Sequence, residues 1–493
     1  MRILMLAPGH VIHSLRPLNW LLQAGHQVLF IDGENPFPDG RENFFFIPYL
    51  NSSDSFVIPM LKAIAQDFLP HVTHVHWLDH RAYQCMAAGL KPLLLTAWGS
   101  DVNHYFTHEK MFLLDIQLMQ ETLRYAHTIF VDTPDIENKC MLLAHKPIST
   151  RLLTLGVNTH QFKPGYRTQA QKLRTELGIS PGARVLLSIR ALTPLYNHGQ
   201  ILIAFYNALP HFKHETVLLF KKYNNRDFYQ YELQMQELIK KIGLESSIKW
   251  LDDCPFDQLP TLYALSTGIV SFPLMDAFPV TFLEAAACLR PVLSHLLPAY
   301  ENTFAQRYFN LVPAGDVDAL SRRLIEVVNT PNSDPITTRN LKAARQEVLT
   351  HYDQAITIRT ITQVYQELSA TFPQPDTTAL FPPVDWQVYL EKGLQGLCTQ
   401  NPDSYQEMYQ LASVLKRLGA YEKARLLFQT ITKQVPKIHL VARAFFHLGE
   451  IALYGGDKPE AAVLFEQCVT REPGHTKARD YLLSLQHQTA PIT

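Results

Sequence analysis

Short apolar runs recur along the first 155 residues: RILML, QVLFID, FFFIP, VTHVHW, PLLLTA, TIFVD and RLLTL. Longer segments with helical spacing separate several of them, a rhythm that suits strand–helix–strand crossovers and therefore a parallel sheet. SLRPLNWLLQAGH reads as one such helix, closed by Gly25 at its carboxyl end. After LGVNTHQFKPG the rhythm starts again with ARVLLSIR, TVLLF, IKWL, GIVSF, PVLS and FNLV. Two doubly wound α/β domains in tandem are expected, with a ligand cleft between the carboxyl ends of their sheets.

Composition narrows the partners. Among 493 residues, 44 Lys and Arg nearly balance 45 Asp and Glu, so there is no basic footprint for nucleic acid. The six cysteines, Cys85, Cys140, Cys254, Cys288, Cys398 and Cys468, form no C-x-x-C pair and suit reduced thiols. MRILMLAPGH is too short an apolar run for a signal peptide, and no window approaches 18 uninterrupted apolar residues. The expectation is a cytoplasmic protein whose membrane contact, where it has any, is peripheral on the inner face.

FPQPDTTALFPPV, residues 372–384, reads as a Pro-rich linker. Beyond it, YQEMYQLASVLKRLGAYEKARLLFQTITKQVPKI aligns with ARAFFHLGEIALYGGDKPEAAVLFEQCVTREPGH, placing Leu411 on Leu448, Gly419 on Gly456, Ala424 on Ala461, Phe428 on Phe465 and Pro436 on Pro473. This resembles the tetratricopeptide repeat, in which small residues let paired helices approach closely. YLEKGLQGLCTQNP continues the register through Leu390, Leu394, Leu397 and Pro402, as the second helix of a degenerate repeat, and TKARDYLLSLQ reads as a capping helix. The all-α domain is placed at 385–488. With barely three units, the array is expected to lean on the domains before it.

The most informative stretch is SFPLMDAFPVTFLEAAACLRPVLS, apolar except for Asp276 and Glu284. GIVSF reads as a strand, PLMDAFPV as a loop and TFLEAAACL as a helix opening at the carboxyl edge of the second sheet. A helix start there offers unpaired N–H groups and partial positive charge, suited to phosphate. On spacing alone two readings stay open: Thr281 and Glu284 match a capping box, and Asp276 matches a turn residue.

D276-AFPVTFL-E284 resembles the E-x7-E motif of retaining glycosyltransferases of the GT-B architecture, in particular glycosyltransferase family 4. APGHVIHSLRPLNWLLQAGHQV is similar to the family's opening loop and helix, TAWGSD to its mid-domain loop, LGVNTHQF to its interdomain turn and SIRALTPLYN to its phosphate-binding strand end. Glu301 follows in PAYENTF. The resemblance implies two Rossmann-like domains, 1–160 on the acceptor side and 161–345 holding the donor nucleotide, with 346–371 as a closing helix. It implies a retaining transfer of a sugar from a nucleotide diphosphate sugar to an acceptor hydroxyl, without metal or other cofactor, the acceptor being a glycan, a lipid-linked group or a protein.

In that reading Glu284 takes the donor ribose hydroxyls and Asp276 takes hydroxyls of the transferred sugar. Arg190 clamps the diphosphate, and the loop at Phe278, Pro279 and Val280 helps hold the donor; Gly9 and Asp101 also line the site. The pattern is broken in four places. Asp276 stands for the usual first Glu, Pro273 for a common Ser and Trp98 for a frequent His, whose role falls to Asp101 or His13. The Lys that usually follows the Arg is missing, since TPLYNHGQ offers only Asn197 and His198; Lys221, or its neighbour Lys222, is expected to replace it. A second reading makes the α/β domains a degenerate scaffold and the repeats a protein-binding module.

Other constellations carry less. His71, His74, His76, His80 and Asp79 have metal-ligand types but no recognisable closing ligands, and Asp316 with Asp318 suits a helix start better than a D-x-D site. Gly9 to His13 lacks a G-x-G-x-x-G, so Gly9 is either a point of close ligand approach or an ordinary turn. MFLLDIQLMQETL reads as a buried helical stripe.

Overall fold

The computed structural model describes residues 1–9, 11–49, 53–107, 113–223, 229–331, 334–374, 388–390, 392–393, 405–417, 419–435 and 438–489. Each of the apolar runs picked out above is a strand. The first sheet contains β1 (Arg2–Leu6), β2 (Gln27–Asp32), β3 (Phe44–Pro48), β4 (Val72–His76), β5 (Leu93–Thr96), β6 (Thr128–Val131) and β7 (Thr150–Leu152). Their order is β3-β2-β1-β4-β5-β6-β7, and the registered pairs are parallel, as in Arg2 opposite Gln27 and Ile3 opposite Val72. The second sheet contains β8 (Arg184–Ser188), β9 (Thr216–Lys221), β10 (Ile248–Leu251), β11 (Gly268–Val270), β12 (Val292–His295) and β13 (Asn310–Val312), in the order β10-β9-β8-β11-β12-β13. Both orders reverse direction once, at β1/β4 and at β8/β11. Such reversals open a crevice beyond the strand ends.

These are two Rossmann-like parallel-sheet domains. β1 is buried along its whole length, as strands covered by helices on both faces require. In the second domain one core holds Val185, Leu187, Phe282 and Tyr300 on one side of the sheet, and another holds Leu186, Phe205, Phe220 and Leu324 on the other. The alternation of Val185 and Leu187 with Leu186 is the two-residue period of a strand buried on both faces.

The chain divides into two compact units, one of Met1–His76, His80–Leu93 and Thr371–Thr493, the other of Trp77–Asp79 and Leu94–Ala370. In the second unit, LGVNTHQF is pinned where two helices meet. Val157 N–H donates to Tyr352 O at 2.9 Å and Gln354 N–H to Val157 O at 3.0 Å. The segment expected as one closing helix is the end of Pro335–His351 followed by all of Gln354–Thr371. Gly156, at φ +69°, fits here because a Cβ would meet Thr357 Oγ1 at 2.7 Å.

In the first unit the repeats form antiparallel helix pairs, Tyr405–Arg417 with Tyr421–Gln434 and Ile438–Tyr454 with Lys458–Arg471, closed by Thr476–Thr489. The aligned positions share their environments: Ala424, Ala461, Phe428 and Phe465 are fully buried, and Gly419 and Gly456 both take positive φ where a helix ends. Pro436, Leu394, Leu397, Cys398, Pro402 and most of the expected linker lie outside the described residues. Described residues between 390 and 393, ahead of these helix pairs, lie against the α/β fold. Leu390 is buried, Lys392 Nζ lies 3.0 Å from Asp67, and a Cβ on Gly393 would stand 3.0 Å from the Phe56 ring. Among the described residues no helix is long and apolar enough to cross a membrane.

Gly449 shows why small residues are needed between repeat helices. A Cβ there would approach the Phe465 ring to 2.6 Å, and Phe465 is walled in by Phe446, Ala461 and Cys468. Gly449→Ala is expected to cost about 1–3 kcal/mol through overpacking, more than the ~1 kcal/mol that Ala gains over Gly in a helix interior. Urea denaturation of the full chain, followed by helical circular dichroism, should show an earlier transition; an unchanged curve would mean the helices are not in this close contact.

Candidate functional site

Beyond β11 the chain runs through SFPLMDAFP into the helix Val280–Ala287, which Pro279 precedes without any side-chain cap. Thr281 is inside the helix, so the capping-box alternative fails. Glu284 instead is 3% exposed and accepts a hydrogen bond from the Tyr263 hydroxyl at 2.7 Å. Burial and the adjacent Glu284 push the Tyr263 phenol well above its ordinary range, so that hydroxyl keeps its proton and remains a donor.

Asp276 is not merely a turn residue. Its Oδ1 receives Arg190 Nη2 at 3.0 Å and the Ala277 N–H at 3.1 Å, while its Oδ2 receives the Tyr300 hydroxyl at 2.9 Å. Arg190 Nη1 also reaches Thr281 Oγ1 at 3.4 Å, and its guanidinium carbon lies 4.2 Å from the centre of the Tyr196 ring. Desolvation works against the charge on Arg190, but Asp276, Tyr196 and Tyr300 outweigh it and push its pKa above the ordinary value. The strand end of β8, the loop before the helix and the helix's first turn thus converge on one ion pair.

Lys221, the last residue of β9, is 3% exposed. Its Nζ lies 2.6 Å from Asp253 and 3.5 Å from the centre of the Tyr223 ring, whose hydroxyl in turn donates to Ile189 O at 2.6 Å. Lys222 pairs with Glu232 at 2.9 Å. Both lysines already have carboxylate partners, so neither stands ready as an unshared cation. His198 is fully buried against Phe220 and Tyr231. Desolvation lowers its pKa to about 4, which leaves it neutral near pH 7 and unable to replace the missing lysine as a charge. Asn197 is a left-handed residue at the start of the same helix, a structural position.

A second group of residues meets the 276–279 loop from the first sheet's side. Gly99 touches Ala277 so closely that a Cβ on it would overlap the Ala277 methyl, 2.2 Å away. Asn103 Nδ2 approaches Asp276 O at 3.4 Å, and the Phe278 N–H donates to Asp132 Oδ2 at 3.0 Å. Two expectations need correcting here. The Phe278 amide is taken by Asp132 while its ring stacks on Tyr352, and Pro279 has no N–H, so of the named loop residues only Val280 brings a helix-start amide. Asp101 accepts from Leu78 N–H at 2.8 Å and from Trp98 and Val102 N–H at 3.1 Å each, so it shapes its own loop. Burial raises Asp101 to about 6, against the pull of those amides.

Gly9 belongs to the other compact unit. Its N–H donates to Asp32 at 2.5 Å, and a Cβ would meet Asp32, the Glu34 carbonyl and Phe30 at 3.0–3.2 Å, so close packing within its own sheet accounts for the glycine. His13 lies in the helix Ile12–Gln23 of that unit. His74 and His76 are buried side by side, ring centres 4.3 Å apart, with burial holding His74 at about 3 and His76 well below its usual value. Asp316 caps the helix Val317–Asn329 by accepting the Ala319 N–H at 2.8 Å. Glu301 is exposed; its neighbour Tyr300 is the residue that enters the site.

Tyr196, Tyr223, Tyr263, Tyr300 and Asp132 were missed from sequence. The tyrosines had no spacing signal, since each sits on a different element. Asp132 had one: it is an acid immediately after β6, at the carboxyl edge where ligands gather.

Residues 169–346 match the family described as Glycosyl transferases group 1. The chain carries a glycosyl transferases group 1 domain. Residues 408–437 and 443–475 match the tetratricopeptide repeat. Over 187 residues the chain is 22% identical to alpha-monoglucosyldiacylglycerol synthase of Streptococcus pneumoniae (strain ATCC BAA-255 / R6), covering 38% of this chain and 41% of that protein. The chain thus spans about two fifths of the length of that curated relative. Sucrose-phosphate synthase from Thermosynechococcus elongatus superposes with a TM-score of 0.63 at 16% identity, over 75% of this chain and 100% of that one. HepE from Anabaena, solved in complex with UDP, gives 0.61 at 15% over the same shares. Both likenesses show the GT-B fold.

The state of His198 in the group 1 domain has a measurable consequence. Above pH 6.5 it is neutral whether folded or unfolded; below that, the unfolded chain takes a proton that the folded one refuses until about pH 4. Stability is therefore lost as pH falls, by roughly 2 kcal/mol at pH 5 from this residue. Denaturant titrations at pH 7.5 and 5.0 should show a smaller loss for His198→Phe than for the wild type by about that amount.

Proposed function

We propose that this chain is a retaining glycosyltransferase that moves a sugar from a nucleotide diphosphate sugar to an acceptor hydroxyl. The observation that carries the reading is the meeting of Arg190, Asp276 and the Glu284 helix at the carboxyl edge of the second sheet, within the segment matching the group 1 family. The structural neighbour solved with UDP supports a nucleotide sugar as donor.

Glu284, in the helix behind the loop, accepts the donor ribose hydroxyls, since an ionised carboxylate takes two adjacent O–H groups well. Asp276 accepts hydroxyls of the transferred sugar. Arg190 and the amides at the start of the helix hold the diphosphate, whose growing charge is the main electrostatic demand as the glycosidic bond breaks. The diphosphate competes with Asp276 for Arg190, and the five donors of the guanidinium allow both to be held. Departure and attack occur on one face of the sugar, the leaving phosphate taking the acceptor proton, so configuration is retained without a protein nucleophile. The acceptor is a glycan, a lipid-linked group or a protein, the last recruited through the repeats; the protein acts in the cytoplasm, meeting a lipid acceptor at the inner membrane face.

Thermal shift with UDP, GDP and ADP sugars tests the donor site. One of them should stabilise the wild type, and Glu284→Ala should abolish that stabilisation; silence across the panel would count against the enzyme. Arg190→Ala should lower turnover by roughly 10²–10³ in a donor hydrolysis or transfer assay, and a near-wild-type rate would remove Arg190 from the mechanism. Early-time proton NMR of the product should show the anomeric configuration of the donor, and an inverted product would refute retention.

A further inference from the structure

Asp132 has no part in the reading above, yet it is the residue through which the first sheet grips the donor loop. It follows β6 directly and precedes Thr133, whose hydroxyl caps the helix Pro134–Ala144 by accepting the Ile136 N–H at 3.2 Å. A strand end and a capped helix start therefore hold its backbone rigidly. The side chain is 7% exposed, its Oδ2 accepts the Phe278 N–H at 3.0 Å, and its Oδ1 is buried without a hydrogen-bond partner.

A buried carboxylate oxygen left without a partner is costly, and the ordinary remedy is a proton or a ligand hydroxyl. Both acids of the proposed donor site hang on the segment that Asp132 holds. Asp276 lies two residues before Phe278, and Glu284 lies six residues after it on the helix that the segment starts. Phe278 cannot slide readily, because its ring is buried in the core and stacked on Tyr352 at 5.6 Å. The Gly99–Ala277 contact and the Asn103–Asp276 hydrogen bond flank the same point.

We propose that Asp132 is a positioning residue for the donor site, fixing the 276–279 loop, and with it Asp276, through the hydrogen bond from the Phe278 amide. This rests on the reading of Asp276 as the acid that meets the transferred sugar. Asp132 touches no reacting atom in this scheme; it acts through the loop.

Its surroundings make the clamp sensitive to pH. Asp101 faces it from the helix Ser100–Thr107 and Asp276 from the loop, while the helix that follows Asp132 brings Asp135, Lys139 and Cys140. Burial first, then Asp101 and Asp276, raise Asp132 to about 7, with the Phe278 amide opposing. Below that value a proton removes the charge while Oδ2 still accepts from Phe278. As pH rises through about 7, a third negative charge forms beside two others, a cost to the folded state, while the bond from the Phe278 amide itself gains strength because it favours the charged form. Raised folded pKa means that the favourable contribution is present at low pH and lost as pH rises.

Asp132→Asn keeps an acceptor oxygen and imitates the protonated acid, whereas Asp132→Ala removes the acceptor. In steady-state transfer or donor hydrolysis at pH 6.5, Ala is expected to lower kcat roughly 10- to 100-fold, in the range of losing a positioning contact, with UDP affinity by calorimetry changed less than about threefold. Asn should stay within about threefold of the wild type, since it keeps an acceptor for the Phe278 amide. A kcat for Asp132→Ala within twofold of wild type, or equal damage from Ala and Asn, would overturn the proposal.

Hydrogen exchange without any sugar nucleotide separates this proposal from the enzymatic reading. Protection of the Phe278 amide should fall at least tenfold in Asp132→Ala and persist in Asp132→Asn, while peptides from β8 and β9 stay unchanged. Loss of protection in a protein that transfers no sugar would keep the clamp and sink the enzyme; transfer with unchanged protection would do the reverse. Should Asp132→Ala not fold, Asp132→Val, nearer in size and equally without an acceptor, takes its place in both measurements, and a kcat within twofold of wild type counts against Asp132.

Discussion

The site of the second domain is organised by one buried ion pair, Arg190 with Asp276. Taking both charges out of water is expensive, and their attraction alone does not reliably offset that. Here the remaining hydrogen-bonding capacity is filled: Asp276 receives Tyr300 and its own loop's Ala277 amide, and Arg190 reaches Thr281 and lies over Tyr196. Removing one partner would strand the other, which typically costs 3–5 kcal/mol. The pair thus ties three pieces of the second domain together, the end of β8, the loop after β11 and the first turn of the next helix.

Tyrosine is the common device around it. Tyr196 lies beneath Arg190, Tyr223 beneath Lys221, and the hydroxyls of Tyr263 and Tyr300 donate to Glu284 and Asp276. A phenol suits this position because its ring fills apolar space while its hydroxyl satisfies a buried acid. Burial raises the pKa of Tyr223, Tyr263 and Tyr300, so all three remain donors across the physiological range. The charged side chains are therefore held before any ligand arrives, which limits the reorganisation that binding demands.

The fold was legible because its signals are local. Apolar runs bounded by turn residues mark every strand, and the repeat alignment predicted matching burial at Ala424 and Ala461, at Phe428 and Phe465, and matching left-handed turns at Gly419 and Gly456. Resemblance to a known motif pointed to Asp276, Glu284 and Arg190; Arg190 and Asp276 form an ion pair, and Arg190 reaches Thr281 on the helix that carries Glu284. What the motif did not foretell were the partners these groups already have. Lys221 was expected to offer a cation, but Asp253, thirty-two positions away and in no recognisable relation to it, already holds it. The Phe278 amide was expected to face a ligand, but Asp132, 146 positions away, takes it. A motif gives residue types at a spacing; whether a group is already engaged depends on long-range contacts that a single sequence does not encode in any short pattern.

Charge balance then explains why the clamp residue and the ion pair belong to one design. Asp101, Asp132, Asp276 and Glu284 bring four acids to the region proposed for a diphosphate, and Arg190 and Lys221 are each matched by an acid there, Asp276 and Asp253. An anion entering such a site meets little net attraction unless some of the negative charge is removed. A proton on Asp132 removes one charge without releasing the loop, because the oxygen facing Phe278 is not the one left unpartnered. In the proposed mechanism Arg190 then shares itself between Asp276 and a phosphate, the charge removed at Asp132 being one that Asp276 feels. Subtracting a negative charge there acts in the same direction as adding a positive one, though without the hydrogen bonds that a lysine would donate to a phosphate.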